Sequence, residues 1–310
     1  ARHGSHRVGV VIGTSTSGID ASGDALAQHQ RTGQFPADYH YDQQTLVSPA
    51  TFLCEWLGVA GPCYVISTAC TSGARALLSA RRLLRLGVCD AVICGGVDAL
   101  CELTLQGFGS LEAVSSRTCQ PFSASRDGIN IGEGAALFLM TRQPEGKQQI
   151  ALLGGGASSD AHHISAPDPS GDGAELAMRH ALSDARLTPD AIGYINLHGT
   201  ATLQNDAMES AVTHRLFGAD IPCSSTKPLT GHTLGAAGAI EAGFCWLTLS
   251  GWNPHRLLPP HHWDGVADGA LAPLALAGPG TLLAGERPLM SNSFAFGGNN
   301  ISLIVGNGAC

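Results

Sequence analysis

A cysteine in the stretch ISTACTSGARAL, residues 66–77, has the setting of a nucleophile. The apolar run at 64–66 is typical of a strand, and the residues that follow the cysteine repeat apolar side chains at helical spacing as far as Gly87. Cys70 is therefore expected at the start of a helix, where unpaired amides and the helix dipole would lower the pKa of its thiol. Its small neighbours leave room for a substrate, whereas most of the other nine cysteines are expected to be buried and unreactive.

Three further motifs contain side chains capable of chemistry. They are NLHGTATLQND around His198, STKPLTGHTLGAAGAIEA with Lys227, His232 and Glu241, and SNSFAFGGNN near the end of the chain. The chain has only two lysines against fifteen arginines, so a lysine inside a turn beside a histidine is expected to have a partner. Each histidine alone could equally be a buried structural one, but two histidines after strand-like runs, together with Cys70, favour a catalytic site.

Composition restricts the class of protein. With 310 residues, 44% of them hydrophobic and 14% charged, the chain can bury a large core in one large or two ordinary domains. The net charge of −8 and the lack of a basic run argue against nucleic acid as a partner. No apolar run is long enough for membrane insertion and the first residues do not resemble a signal peptide, so we expect a cytoplasmic protein.

The cysteines and histidines show no metal-binding pattern. Ten cysteines without a framework spacing indicate reduced thiols, and no CxxC pair is present. We interpret the pairs at 162–163 and 261–262 as loop histidines. No metal is expected.

The order of predicted elements indicates an α/β protein with buried parallel strands. Strand-like runs include RVGVVIG, CYVIST, DAVICGG and AALFLM in the first half, and QIALLGG, IGYINLHG, IPCSSTK and NISLIVG in the second. The glycines at 154–156 are interpreted as a turn. We place the boundary between the halves after residue 146, giving regions 1–146 and 147–310.

The two halves resemble each other. CYVISTACTSGARALLSA and CSSTKPLTGHTLGAAGAIEA share a plan of strand, polar glycine-containing turn and helix of small residues. A strand and helix at about 147–190 precede IGYINLHG, but nothing comparable precedes RVGVVIG. By this comparison, an opening strand with its helices is absent from the first half.

These motifs, in this order, resemble those of the β-ketoacyl-acyl-carrier-protein synthases, the elongating Cys-His-His branch of the thiolase-like condensing enzymes. The resemblance runs from about residue 7 to 306 and includes SRDGINIGEGAA and SSDAHHISAPDPSG. It implies a five-layered αβαβα fold of two similar halves, here without the usual N-terminal strand and helix. Two smaller departures are Asn299, where the family usually carries Thr, and Ser123, where Asp is usual.

The resemblance assigns a role to each candidate residue. Cys70 would carry the acyl group, and the backbone amides of Cys70 and Phe296 would form an oxyanion hole. His198 and His232 would donate hydrogen bonds to the malonyl carbonyl as CO2 leaves. Lys227 and Glu241 would form a buried ion pair that organises the histidines. The reaction would be a decarboxylative condensation of malonyl-acyl-carrier protein with the acyl group, in fatty-acid or polyketide-type chain elongation.

Further roles follow from the same resemblance. Thr200, Thr202 and Ser165 would bind the pantetheine arm, and a loop of Phe294, Phe296, Gly297 and Gly298 would gate the acyl pocket, although both phenylalanines could equally be core. No cofactor of its own is expected, since phosphopantetheine arrives on the acyl carrier protein. The expected partners are that carrier protein and an identical or related subunit in a dimer. Four arginines in the helix after Cys70 form either a dock for the acidic carrier or a solvated face: Arg75, Arg81, Arg82 and Arg85.

Three alternatives remain at this point. A thiolase needs a second catalytic cysteine in a late glycine-rich loop, and Cys310 lies too close to the end of the chain. An enzyme primed by coenzyme A would carry Asn in place of the second histidine. A non-catalytic, chain-length-type partner subunit would have lost the nucleophile, which this chain retains.

Overall fold

A computed structural model of the chain describes residues 3–142 and 150–308. Within these ranges the α-helices are α1 (Ile19–Thr32), α2 (Ser48–Leu57), α3 (Ser72–Arg85), α4 (Glu102–Ser110), α5 (Asp172–Ala185), α6 (Leu203–Phe217), α7 (Lys227–Thr230) and α8 (Ala237–Leu249). The strands are β1 (Val8–Gly13), β2 (Cys63–Ile66), β3 (Ala91–Asp98), β4 (Gly134–Thr141), β5 (Ile150–Ser159), β6 (Tyr194–Asn196), β7 (Pro222–Ser224), β8 (Ala275–Leu276), β9 (Leu289–Ala295) and β10 (Asn299–Asn307). The boundary proposed after residue 146 falls in the stretch outside the described residues.

The first sheet is built around β1, which is apolar on both faces. Its strand order is β2-β1-β3-β4; β1 pairs in parallel with β2 and β3, whereas β4 is antiparallel to β3. Val10 and Ile12 pack with Ala50 of α2 on one face, while Val11 packs with α3 on the other. A continuous apolar run is therefore required in β1, as is usual for a strand covered by helices on both sides.

The second sheet has the order β5-β10-β9-β6-β7-β8. Strands β6 to β9 pair in parallel, but β10 runs antiparallel to both of its neighbours, β9 and β5. The α/β prediction is thus confirmed, whereas the expectation of parallel strands holds for only part of each sheet. The strand β9 was not predicted, because its sequence LMSNSFA mixes polar and apolar residues that are all largely buried.

The glycines at 154–156 do not form a turn, contrary to the sequence-based interpretation. They lie within β5, where α5 packs directly on the sheet. A Cβ at Gly154 or Gly156 would collide with the backbone carbonyl of Ala181 or Ala177 in α5. The glycines are needed for the close approach of helix and strand.

The helices α3 and α8 form a central layer between the two sheets. Both contact β3 and β10, one strand from each sheet. A Cβ on Gly73 of α3 would lie 2.9 Å from the Cβ of Ala239, so the two helices cross closely at their amino-terminal ends. Helix α2 covers the outer face of the first sheet, and α5 covers that of the second. The layers therefore alternate αβαβα.

The internal repeat is visible in the sheet topology. The order β2-β1-β3-β4 has the same strand directions as β7-β6-β9-β10, with two parallel pairs followed by one antiparallel pair. The second sheet has in addition β5 beside β10. Among the described residues no strand occupies the equivalent position beside β4, and Leu137 and Leu139 of β4 are exposed.

Candidate active site

Cys70 lies in a tight turn between β2 and α3. Ala69 has a left-handed backbone conformation, with φ of 52°, and α3 begins two residues after the cysteine, at Ser72. The amides of Thr71 and Ser72 donate to the carbonyls of Thr68 and Ala69, at 3.3 and 3.1 Å. The turn therefore presents the Cys70 side chain just ahead of the helix, as the sequence predicted.

The expected lowering of the Cys70 pKa is wrong. Burial raises the pKa of this thiol to about 11, and the charge of Lys227 only partly offsets that effect. The side chain is 7% exposed, and the amides of Thr71 and Ser72 are already bonded to backbone carbonyls. Desolvation of a thiolate thus outweighs the helix dipole at this position. A neutral thiol needs a nearby group that accepts its proton.

His232 provides such a group. Its Nε2 lies 3.0 Å from Cys70 Sγ. The backbone of His232 is fixed on both sides, since its N–H donates to Asn130 O at 2.6 Å and its carbonyl accepts from Gly132 N–H at 3.0 Å. This explains the place of the motif SRDGINIGEGAA next to the site. The His232 Nδ1 atom has no hydrogen-bond partner among the described residues.

His198 lies at the end of β6 and is backed by a buried ion pair. Lys227 Nζ contacts Glu241 Oε1 at 2.6 Å, donates to His198 O at 2.5 Å and lies 3.4 Å from His198 Nδ1. The rings of His198 and His232 meet edge to face, with centroids 5.4 Å apart. The structure therefore brings together Cys70, His198, His232, Lys227 and Glu241, the five residues selected from the sequence.

The electrostatics keep both histidines neutral. Burial, followed by the charge of Lys227, holds the pKa of each well below its usual value. Burial also raises the pKa of Glu241, although Lys227 opposes that shift. One donor atom each from Cys70, His198 and His232 lie within 4.8 Å of one another, which is close enough for a metal ion. The Lys227 ammonium group beside His198 opposes the binding of a cation there.

A cavity of about 320 Å³ opens onto these residues. Eight of the predicted site residues line it: Cys70, Ser165, His198, Thr200, Thr202, His232, Phe294 and Phe296. Lys227 and Glu241 lie behind His198 and do not line it. The cavity also includes residues that sequence reasoning did not select, among them Phe108, Leu111 and Asn300.

All three predicted pantetheine residues line this cavity, whereas of the predicted gate residues only Phe294 and Phe296 do. The hydroxyls of Thr200 and Thr202 lie 2.9 Å apart and can hydrogen-bond to each other. Ser165 N–H donates to His163 Nδ1 at 3.1 Å. Phe294 is buried in the core of the second half, edge-on to His198, whereas Phe296 packs on Phe108 with ring centroids 5.6 Å apart. Gly297 and Gly298 form a turn directly after Phe296, both with positive φ.

Two buried carboxylates of α6 were missed by sequence reasoning. Glu209 accepts the N–H groups of His198 and Gly199, both at 2.7 Å, and Asp206 accepts that of Thr200 at 3.1 Å. Burial raises the pKa of Glu209 to about 7 and that of Asp206 to about 6. Asp206 and Glu209 are three residues apart in NDAME, a short way after HGTAT, and this spacing places both on one helix face. That pattern could have indicated two carboxylates directed at the His198 turn.

The arginines after Cys70 do not form one exposed sector. Arg81 is buried, and it pairs with Asp184 of α5, as does Arg85. Arg75 is half-buried and donates to Asn299, so only Arg82 of the four lacks a contact to the second half among the described residues. Only Arg82 and Arg85 are exposed, so the four arginines do not form a continuous solvated face. That they dock the carrier protein stays a prediction.

Comparison with known proteins identifies the family. Residues 1–145 match the model of the beta-ketoacyl synthase N-terminal domain, and residues 150–262 match that of the C-terminal domain. The chain is 34% identical over 317 residues to 3-oxoacyl-[acyl-carrier-protein] synthase 2 of Vibrio harveyi, covering 96% of this chain and 75% of that one. The chain belongs to the beta-ketoacyl synthase family of condensing enzymes, which are acyltransferases with the thiolase-like fold.

Two solved structures extend the comparison. The ketosynthase ApeO of Xenorhabdus doucetiae, solved with its chain length factor ApeC, is 50% identical with a TM-score of 0.92, over 99% of this chain and 76% of that chain. A ketosynthase solved with its type II polyketide synthase acyl-carrier protein is 26% identical with a TM-score of 0.84, over 99% and 79%. Within the described residues, no helix combines the length and the apolar character needed to cross a membrane.

Proposed function

We propose that the chain is an elongating ketosynthase that condenses a malonyl unit with an acyl group held on Cys70. The observation that carries the proposal is the contact of 3.0 Å between Cys70 Sγ and His232 Nε2 at a cavity that His198 also lines. The substrate thioester arrives on the arm of an acyl carrier protein, so the proposed reaction needs no cofactor of the chain's own.

In the first half-reaction, Cys70 takes the acyl group from the carrier. The Sγ atom attacks the thioester carbonyl while its proton passes to His232 Nε2. Backbone amides of Cys70 and Phe296 stabilise the oxyanion that forms, and such donors contribute about 3 kcal/mol each in comparable sites. The pantetheine sulfur leaves and recovers the proton from His232. The imidazole is then neutral again.

In the second half-reaction, malonyl thioester enters the same cavity. Loss of CO2 leaves an enolate, and neutral His198 and His232 stabilise its oxygen by donating hydrogen bonds. For His232 this requires the tautomer with its proton on Nε2, reached by proton exchange with water after the acylation step. The enolate carbon attacks the acyl carbonyl, and Cys70 leaves as a thiolate that takes a proton from water, since loss of CO2 from the malonyl carboxylate supplies none. Lys227 and Glu241 support this step by fixing His198, whose backbone is held by Glu209 as well.

We further propose that the partner subunit is a related condensing-enzyme chain of the chain-length-factor type. Support comes from the similar ketosynthase of Xenorhabdus doucetiae, which was solved with its chain length factor. An acyl carrier protein is the proposed donor of both substrates, and a similar ketosynthase was solved with such a carrier.

The test is intact-mass spectrometry after incubation with a panel of acyl-carrier proteins, followed by peptide mapping. We expect a single acyl adduct on Cys70, absent in Cys70→Ser and retained in Cys63→Ser, which alters a half-buried cysteine outside the cavity. An adduct on another cysteine would contradict the proposal. A total lack of acylation, even with the partner subunit present, would favour a non-catalytic subunit.

A further inference from the structure

The turn Phe296–Gly298 joins β9 to β10, and the residues on either side of it, Ala295 and Asn299, are paired in the sheet. Gly297 N–H donates to Ile164 O at 2.8 Å, and Gly298 O accepts from Asp160 N–H at 2.9 Å and from Asn300 Nδ2 at 3.3 Å. A Cβ on Gly297 would have only Asn299 Nδ2 within 4 Å, at 3.7 Å, so that side of the turn is open. The backbone of the next residue, Asn299, is fixed in the sheet, and its side chain can add a contact beyond the hairpin.

Asn299 connects this turn to the nucleophile helix. Its Oδ1 accepts a hydrogen bond of 3.2 Å from Arg75 Nη2, and Arg75 lies in the first turns of α3, five residues after Cys70.

The Arg75 guanidinium depends on this contact. Among the residues the structure describes, no carboxylate lies within 4.0 Å of Arg75, and its buried Nε has no hydrogen-bond partner. Arg81 and Arg85 of the same helix, by contrast, share Asp184. A partly desolvated cation gains more from its acceptor than an exposed one does, so Arg75 favours the position of Asn299 seen here.

We propose that Arg75 is a positioning residue that, through Asn299, holds the turn Phe296–Gly298 against the nucleophile helix and so restricts the entry of bulky acyl groups to Cys70. The proposal rests on the proposed function for the role of Phe296 as a gate. Arg75 touches no reacting atom; it acts by setting the position of the aromatic ring beside the cavity.

The test measures access to Cys70 without requiring condensation. The rates of Cys70 alkylation by iodoacetamide and by an N-dodecyl iodoacetamide are compared by peptide mapping. Arg75→Met and Asn299→Leu should each raise the ratio of the alkylation rate with the bulky reagent to that with the small one by about tenfold. This is the shift expected when a hydrogen bond to a charged group no longer favours the closed turn. Arg82→Met, on the exposed side of the same helix, should leave the ratio unchanged.

A second variant separates positioning from general damage to the fold. Asn299→Asp keeps the size of the side chain and strengthens the pair with Arg75, so the ratio should stay at or below the wild-type value. In the Arg75→Met background the same change leaves a half-buried carboxylate unpaired, and the ratio should rise. The proposal is overturned if Arg75→Met leaves the ratio unchanged, or if Asn299→Asp has the same effect in both backgrounds. Because alkylation needs no substrate, either result leaves the proposed function to its own acyl-transfer test.

Discussion

Replacement of Lys227 by Met tests how the buried ion pair supports the site. Lys227 and Glu241 are 2% and 3% exposed, and the Lys227 Nζ atom also bonds to the carbonyl oxygen of His198. The substitution keeps the aliphatic stem but leaves the Glu241 carboxylate buried without its cation. Glu241 Oε2 already lacks a hydrogen-bond partner among the described residues, so no other group there compensates for the loss.

The magnitude follows from the burial. Breaking one side of a buried pair costs about 3–5 kcal/mol, whereas replacing both members by apolar residues is often nearly neutral. Unfolding 310 residues at about 2.1 cal/mol/K per residue gives an entropy of about 650 cal/mol/K, so a loss of about 4 kcal/mol lowers Tm by about 6 °C. Lys227→Met with Glu241→Leu should recover most of this loss in stability.

The loss of stability in Lys227→Met should depend on pH. Without Lys227 the pKa of Glu241, already raised by burial, rises further, so the folded state binds a proton more tightly than the unfolded state does. For such a group, stability falls as pH increases from the unfolded pKa through the folded one. The difference in Tm from wild type should therefore be larger at pH 8 than at pH 5.5.

Calorimetry and a malonyl-decarboxylation assay on the two single variants and the double variant provide the measurements. We expect the double variant to be stable but still defective in decarboxylation, because His198 has lost the ammonium group behind it. Equal losses of Tm in all three variants would refute the reasoning about the pair. A double variant with wild-type decarboxylation would show that Lys227 does not organise His198.

Three further predictions concern the cavity residues. Because burial raises the pKa of Cys70 to about 11, its alkylation by iodoacetamide should accelerate about tenfold per pH unit from pH 7 to 9; a plateau near pH 8 would contradict this. Cys70→Gln should abolish condensation but leave malonyl decarboxylation measurable, and loss of both would refute the division of roles. His198→Ala should slow decarboxylation but not Cys70 acylation, whereas His232→Ala should slow both. In decarboxylation, the double variant should be little worse than His232→Ala, since residues that act as a unit are non-additive. Additive losses of decarboxylation rate would mean that the two histidines act independently.

The position of the proposed nucleophile, Cys70, could be predicted from the sequence, but the ionisation of its thiol could not. A strand, a small-residue turn and a helical pattern are local features, so the position of Cys70 could be inferred from residues 64–87. The pKa of its thiol depends on desolvation by residues from both halves of the chain, including the ring of His232 at 3.0 Å. The local helix signal therefore pointed in the wrong direction.

Other errors have the same origin. Three consecutive glycines at 154–156 predict a turn when only neighbouring residues are considered. In the structure they are needed in β5 because α5, a separate element, packs directly against them. Arg81 looked solvated because helical periodicity does not show that Asp184, about a hundred residues later, lies beside it. The pairing of Lys227 with Glu241 was expected only through the family resemblance, since no spacing rule connects a turn residue with one in the following helix.

The repeat explains why one site needs both halves. Cys70 precedes α3 after β2, and His232 precedes α8 after β7, so the proposed nucleophile and the second histidine occupy corresponding places in the two sheets. The two helices cross where Gly73 faces Ala239, and this crossing brings the two corresponding turns together. A substitution that widens the crossing, even without changing a site residue, would lengthen the contact between Cys70 Sγ and His232 Nε2. The small residues at the start of each central helix therefore set the distance between the Cys70 thiol and the imidazole that accepts its proton in the proposed mechanism.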